Sequence, residues 1–249
     1  MAPPVIDLRS PGTDDALWAT WRERSEALPL AEMTRLTVVA AHPDDEVLGA
    51  GGLIAAARAR GVEVALVTVT DGEGSHPGSP TYSPPELAEV RAREVRRAAA
   101  ELGADRPIRW GIPDGRVAES EAEVADRLHA LLAAHEAPGS WCAATWRHDG
   151  HPDHEALGRA AATAAERAGV RLLEYPIWMW HWATPDHPRL AGTRPALFDL
   201  PATAHAAKCR AIGHFPSQTQ RLSPAPQDAP ILPEHILRRF TGPTETYFR

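Results

Sequence analysis

The chain has 249 residues, 43% of them hydrophobic, which is enough apolar side chain for one folded domain with a real core. Its formal net charge of −7, with no run of Lys or Arg, excludes the basic stripe that a nucleic-acid partner would require. Cys142 and Cys209 are too few for a disulfide framework and match no cysteine zinc motif, the start MAPPVIDLRS lacks the pattern of a signal peptide, and no segment approaches a membrane helix, so a cytoplasmic setting is expected.

Residues 1–35 read as an N-terminal helical extension to a domain of residues 36–249, with a helix around Ala16 to Leu28 whose Trp18, Trp21 and Leu28 are packing anchors. Beyond it, short apolar β-branched runs alternate with longer amphipathic ones, the pattern of a parallel sheet covered by helices. Strands are predicted at Leu36 to Ala41, Val64 to Thr70, Pro107 to Trp110, Trp141 to Thr145 and Arg171 to Tyr175. Helices are predicted at Asp45 to Ala59, Pro85 to Leu102, Glu119 to His135 and His154 to Ala168. Gly61, Gly103 and Gly169 each follow a helical stretch, where a left-handed cap belongs. The fold class is therefore α/β: a doubly wound, mostly parallel, Rossmann-like sheet with helices on both faces and ligands at the carboxyl ends of the strands. From about residue 175 the pattern weakens into a proline-rich tail. Its one clear helix is at Ala202 to Ile212, and it is expected to wrap the domain and contribute to the pocket.

The first of the five strands runs straight into His42-Pro43-Asp44-Asp45-Glu46, at the end where such a sheet presents its site. Acids here could simply cap the next helix and favour its dipole, but capping does not account for His42. A second cluster, His148-Asp149-Gly150-His151-Pro152-Asp153-His154, sits at the matching end of the fourth strand, which commonly lies beside the first in this architecture. Two histidine-rich loops opening on one crevice are hard to explain as packing, whereas His129, His135, His187, His205 and His235 read as ordinary surface or core residues. Two imidazoles with a carboxylate and an open position is how catalytic zinc is commonly held, and iron, cobalt or manganese would also accept this donor set. The spacing of His148, His151 and His154 leaves open which of them ligate.

Gly49-Ala50-Gly51-Gly52 suggests a dinucleotide loop, but that fingerprint needs its glycines in the turn directly after the strand, which is occupied by His42 to Glu46. The glycines fall inside the following helix and are expected to allow close packing against the sheet. A phosphoesterase with two metals would need a richer carboxylate set, and a sugar-binding protein without catalysis would have no use for Asp44.

The motifs AHPDDE (41–46) and HPDH (151–154) resemble those of the PIG-L (LmbE-like) family of zinc-dependent N-deacetylases. TDGEGS (70–75), Arg91-Ala92-Arg93-Glu94, GIPDG (111–115) and, less closely, KCRAIGHFPSQ (208–218) add to the resemblance. It implies Zn(2+) on His42, Asp45 and His154, Asp44 as general base, His151 as oxyanion stabiliser or acid, Asp153 orienting His151, and Arg91 and Asp114 on sugar hydroxyls. It also implies a small sugar-containing substrate: an N-acetylglucosamine conjugate, a natural-product intermediate, or an amide of a sugar thiol. A homo-oligomer is compatible with the sequence. The indole-rich YPIWMWHW (175–182) has no counterpart in the shared motifs; it is expected as packing beneath the tail or as a pocket wall.

Overall fold

The computed structural model describes residues 6–23, 25–30, 32–134, 137–193 and 195–249. Its strands are β1 (Glu26–Ala27), β2 (Arg35–Ala40), β3 (Glu63–Thr70), β4 (Ile108–Ile112), β5 (Ser140–Thr145), β6 (Arg171–Tyr175), β7 (Pro195–Asp199) and β8 (Thr244–Phe248). They form one sheet in the order β1-β7-β8-β6-β5-β2-β3-β4. All the neighbouring pairs are parallel except those of β8, which runs antiparallel between β6 and β7. The α/β class and the mostly parallel sheet are as expected from the alternating pattern.

The main helices are α1 (Asp15–Arg22), α2 (Asp45–Ala59), α3 (Pro84–Glu101), α4 (Glu121–Ala133) and α5 (Pro152–Ala168). The short α6 (Met179–Trp182), then α7 (Ala202–Ile212), and the short α8 (Pro216–Thr219) and α9 (Glu234–Leu237) follow. Along β2 and β3 the side chains alternate between faces, as a strand requires. Leu36, Val38, Val64 and Leu66 join a core under α2, α3 and α7, while Val39, Val67 and Val69 join a second core under α4 and α5. Both faces are covered, which is why these strands read as nearly continuous apolar runs. Gly61, Gly103 and Gly169 have φ of 77°, 72° and 65°, the left-handed geometry expected after a helix.

Three features depart from the sequence reading. The N-terminal helix ends at Arg22, not near Leu28, because residues 26–27 pair with β7 and Leu28 N–H donates to Leu197 O at 2.7 Å. The third predicted helix opens as a 3₁₀ turn (Val117–Ser120) before α4, and its predicted last residue, His135, lies outside the described residues. The tail holds two strands besides α7, and Glu245 of β8 ties them to α2. Its carboxylate accepts the N–H groups of Gly52 and Leu53 at 2.7 and 2.8 Å and pairs with Lys208 at 2.8 Å, both side chains being buried. Of the α2 glycines, Gly49 makes the close approach to the sheet that was expected, and the other two make theirs to the tail instead. A Cβ on Gly49 would collide with the Tyr175 ring of β6, whereas those on Gly51 and Gly52 would meet Lys208 and Leu200 on the α7 side.

Candidate active site

The topology reverses between β2 and β5: the chain proceeds from β2 to β3 and β4 on one side and from β5 to β6 on the other. This is the switch point where an open α/β sheet leaves a crevice at its strand ends. The register Leu36↔Trp141 through Val39↔Ala144 brings the two histidine-rich loops side by side. They open on a cavity of about 210 Å³ whose wall includes His42, Asp44, Asp45, Arg91, Asp114, His151 and Gln218.

Three donor atoms converge on the cavity. His42 Nδ1 and His154 Nε2 stand 3.1 Å apart, and Asp45 Oδ2 lies 3.5 Å from the first and 3.3 Å from the second. A tetrahedral ion with ligands about 2.0–2.1 Å away would separate them by about 3.3–3.4 Å, so the three atoms already form one face of such a site. Both imidazoles also send their far nitrogen to carboxylates, the arrangement that frees the near nitrogen for a metal. His154 Nδ1 meets Asp149 Oδ2 at 2.8 Å, and His42 Nε2 meets Asp114 Oδ1 at 3.0 Å and Asp153 Oδ2 at 3.3 Å. The residues present therefore fit a single divalent ion. His42, Asp114 and Asp153 also cluster closely. Asp153 already accepts N–H from Gly115 at 2.7 Å and Val117 at 3.1 Å, however, and Asp114 accepts from Gly74 at 2.9 Å, so this second group reads as support for His42.

The electrostatics follow from burial and these pairs. Burial lowers His42, but Asp114, Asp153 and Asp45 outweigh it and hold the ring well above its ordinary range. Burial likewise lowers His154, and Asp45 and Asp149 overcome it. Asp45 is pushed up by burial and pulled down further by His154 and His42, to about 2. Asp44 is different: burial raises it to about 7 against the pull of Arg91.

Asp44 occupies the N-cap position of α2 but makes no capping bond with its side chain, so the capping explanation does not hold for it. Its φ of 149° makes it the one non-glycine residue with positive φ among those described, a conformation that costs about 1–3 kcal/mol and turns the carboxylate toward the cavity wall. There Arg91 Nη2 donates to Asp44 Oδ2 at 3.1 Å and to Pro43 O at 2.8 Å, and Nη1 donates to Gly72 O at 3.0 Å. Arg91 is 2% exposed; its visible task is to hold Asp44 and the turn, although it also lines the cavity.

His151 stands beside the donor trio, its ring centroid 4.9 Å from that of His42 and 4.7 Å from that of His154. The expected bond from its ring to the Asp153 carboxylate is not made, because that carboxylate is taken up by Gly115, Val117 and His42. Instead His151 is the N-cap of α5, and its Nδ1 accepts the Asp153 backbone N–H at 3.3 Å. Burial, with His154 and His42 nearby, pushes its pKa down to about 3, the opposite of what a bond to the Asp153 carboxylate would do. With Nδ1 accepting, a neutral ring carries its proton on Nε2 and is a donor there, although the ring also stands close enough to His42 and His154 to join them around an ion. His148 packs edge-on against Trp146, away from the trio.

Asp149 was not singled out in the sequence, although it lies inside the quoted motif. It is fully buried and, besides His154, accepts the N–H groups of Ile177 (2.8 Å), Trp178 (3.0 Å) and Met179 (3.1 Å). The indole-rich segment thus serves twice. Ile177 and Trp178 line the cavity, while Trp180 packs edge-on against Trp18 at 5.1 Å and takes its Nε1–H on the backbone at 3.0 Å.

The model of the PIG-L family, GlcNAc-PI de-N-acetylase, matches residues 37–165, the stretch that holds His42, Asp45 and His154. The chain belongs to the PIG-L family. It is 30% identical over 200 residues to a 1D-myo-inositol 2-acetamido-2-deoxy-alpha-D-glucopyranoside deacetylase of Mycolicibacterium gilvum, covering 68% of this chain and 66% of that protein, just under two thirds of its length. It is 31% identical over 188 residues to a protein of Bacillus cereus named "Probable N-acetyl-alpha-D-glucosaminyl L-malate deacetylase 2", covering 74% and 84%. Among solved structures, an A40926 pseudoaglycone deacetylase superposes with a TM-score of 0.63 at 24% identity, over 87% of this chain and 97% of that one, which supports the fold. No helix among the described residues is long and apolar enough to cross a membrane.

Proposed function

We infer that this PIG-L family member is a metal-dependent hydrolase that removes an acyl group, acetyl in its named relatives, from the amide nitrogen of a small sugar-containing molecule such as an N-acetylglucosamine conjugate. The observation that carries the reading is the convergence of His42 Nδ1, Asp45 Oδ2 and His154 Nε2 within 3.1–3.5 Å at a cavity that the Asp44 carboxyl also faces. The substrates in the names of the two relatives carry inositol and L-malate on an acetylated amino sugar, which supports the amino sugar as the shared element.

His42, Asp45 and His154 would hold the ion, with zinc the natural choice for this mixed nitrogen and oxygen set. When bound, such an ion supplies Lewis acidity: it polarises an amide carbonyl and lowers the pKa of water. Asp44 accepts the proton as water attacks the carbonyl and gives it to the nitrogen as the C–N bond breaks, releasing the free amine and the carboxylic acid, a role suited to a carboxyl poised near neutrality and kept in place by Arg91. The Nε2–H of neutral His151 donates to the oxygen on which charge develops. Asp149, Asp114 and Asp153 hold the two imidazoles in the tautomer that presents their near nitrogens. Leu48, Ile177 and Trp178 make an apolar part of the wall that limits water at the reacting centre. Both cysteines are free, which suits a cytoplasmic setting.

Metal content and acetate release together test the reading. The purified protein is expected to carry about one ion per chain and to release acetate from simple N-acetyl amino sugars, with alanine at His42, Asp45 or His154 removing both. Normal metal loading in all three variants would overturn the ligand set, and a fully loaded protein that releases no acetate would overturn the reaction.

A further inference from the structure

Gln218 has no part in the mechanism above, yet its side chain is 1% exposed and lines the same cavity. Its orientation is set by a short chain of hydrogen bonds that begins on α3. The Glu94 carboxylate accepts the Ser217 backbone N–H at 2.9 Å and the Ser217 hydroxyl at 2.6 Å. A hydroxyl has one proton, and here it goes to Glu94; Ser217 Oγ is left only to accept, which it does from Gln218 Nε2 at 2.9 Å. The other amide proton is directed at Ser75 Oγ, 3.4 Å away. A flipped amide would set Oε1 against an oxygen with no proton to give, so the chemistry fixes which end faces where. Both donors are committed, no hydrogen bond among the described residues ends on Oε1, and the carbonyl is what Gln218 offers a ligand.

The same wall continues from Ser75 to Gly74, whose N–H donates to Asp114 Oδ2 at 2.9 Å. Two acceptors, the Asp114 carboxylate and the Gln218 carbonyl, therefore stand along one polar stretch. They suit a ligand with more than one hydroxyl donor, as a sugar ring has. We propose that Gln218 is a specificity-determining residue whose side-chain carbonyl accepts a hydrogen bond from one ring hydroxyl of the substrate, with Ser217 and Glu94 as the positioning residues that hold it for that task. The inference rests on the reading of the site as an amino-sugar N-deacylase.

The test compares N-acetylglucosamine with its 3-, 4- and 6-deoxy analogues on the metal-loaded protein, reading acetate release for turnover and calorimetry for binding. In the wild type, one analogue is expected to lose about 10–100-fold in kcat/KM and in affinity, because a buried acceptor is left without a partner. Gln218→Met, similar in size but without the carbonyl, should lose a comparable factor on the parent sugar, mainly in KM, and no longer distinguish that analogue. Glu94→Gln, which can donate to Ser217 and so release its proton, should blunt the discrimination without abolishing it. Three results would overturn the proposal: a wild type that treats every deoxy analogue like the parent, a methionine variant that keeps the full discrimination, or one equally impaired on all four sugars. Selective binding lost in Gln218→Met supports the proposal even without acetate release. That second result counts against the reaction alone, so the two failures are told apart.

Discussion

Replacing Asp149 by Asn keeps the shape of a fully buried side chain and changes one oxygen into a donor, at a site where all four partners are donors. If the new NH2 takes the place of Oδ1, the Ile177 and Met179 N–H groups lose their acceptor. Two buried donors left unsatisfied cost about 1–3 kcal/mol each, so the metal-free protein should lose about 2–6 kcal/mol. If it takes the place of Oδ2, Trp178 N–H is orphaned and His154 Nδ1 must become an acceptor, which moves the ring proton to Nε2, the atom that faces Asp45 and His42. A metal must then displace that proton, and affinity should fall about 10–100-fold, or about 1.4–2.7 kcal/mol. Urea unfolding of the metal-free protein reads the first effect, and competition with a chromogenic chelator at neutral pH, under conditions where the variant stays folded, reads the second. Lost stability with unchanged metal affinity would reduce Asp149 to a brace for residues 177–179. No change in either would refute the reasoning outright.

Asp44→Asn should keep its metal and lose about 10²–10⁴ in kcat, since an amide fills the same space and cannot take a proton; near-normal turnover would remove Asp44 as the base. His151→Ala should also retain metal and lower kcat far more than it raises KM, and a metal-free variant would instead make His151 a ligand. Gly49→Ala drives a methyl into the Tyr175 ring and should cost about 1–3 kcal/mol, about 2–4 °C of Tm per kcal/mol, so an unchanged melting curve would count against that close approach. Burial raises the folded pKa of Glu94 above 4.5, despite its two bonds from Ser217. Its stability contribution is therefore full below 4.5 and lost as pH rises through the folded value, and Glu94→Gln should flatten that limb of the pH–stability curve.

What the sequence made legible is what a short window can carry. β2, β3 and β5 read as strands because both of their faces are buried; α5 was found from its apolar periodicity and end signals, whereas α2, buried on almost every side, was found from the Gly61 stop that follows it. β1, β7 and β8 have two to five residues each, and β7 opens on a proline; they are strands because of the partners they meet, which lie far away in the chain. The two histidine-rich loops were recognisable as one site because the topology rule sets two strand ends together, and the resemblance to the family's motifs selected His42, Asp45 and His154 within them. Asp153 was matched to its sequence neighbour His151, whereas the loop at residues 115–117 and His42 are what it meets. Asp149 and Gln218 each have a near partner in His154 and Ser217, but they also depend on residues 28 to 143 positions away, which no local pattern encodes.

The Asp149 carboxylate joins two parts of the site that could have been independent. One oxygen serves both the His154 imidazole and the backbone at Trp178, so that side of the cavity wall and the proposed coordination of the ion are adjusted together or not at all. The Gln218 end of the polar wall has no such tie: Gln218 hangs from Glu94 and Ser217, on helices that supply no ligand, whereas Asp114 at the other end is bonded to His42. A lineage that changes its sugar conjugate can recut the wall at Gln218 while leaving the metal undisturbed. Changes at Ile177 and Trp178 would be paid for in the reaction itself.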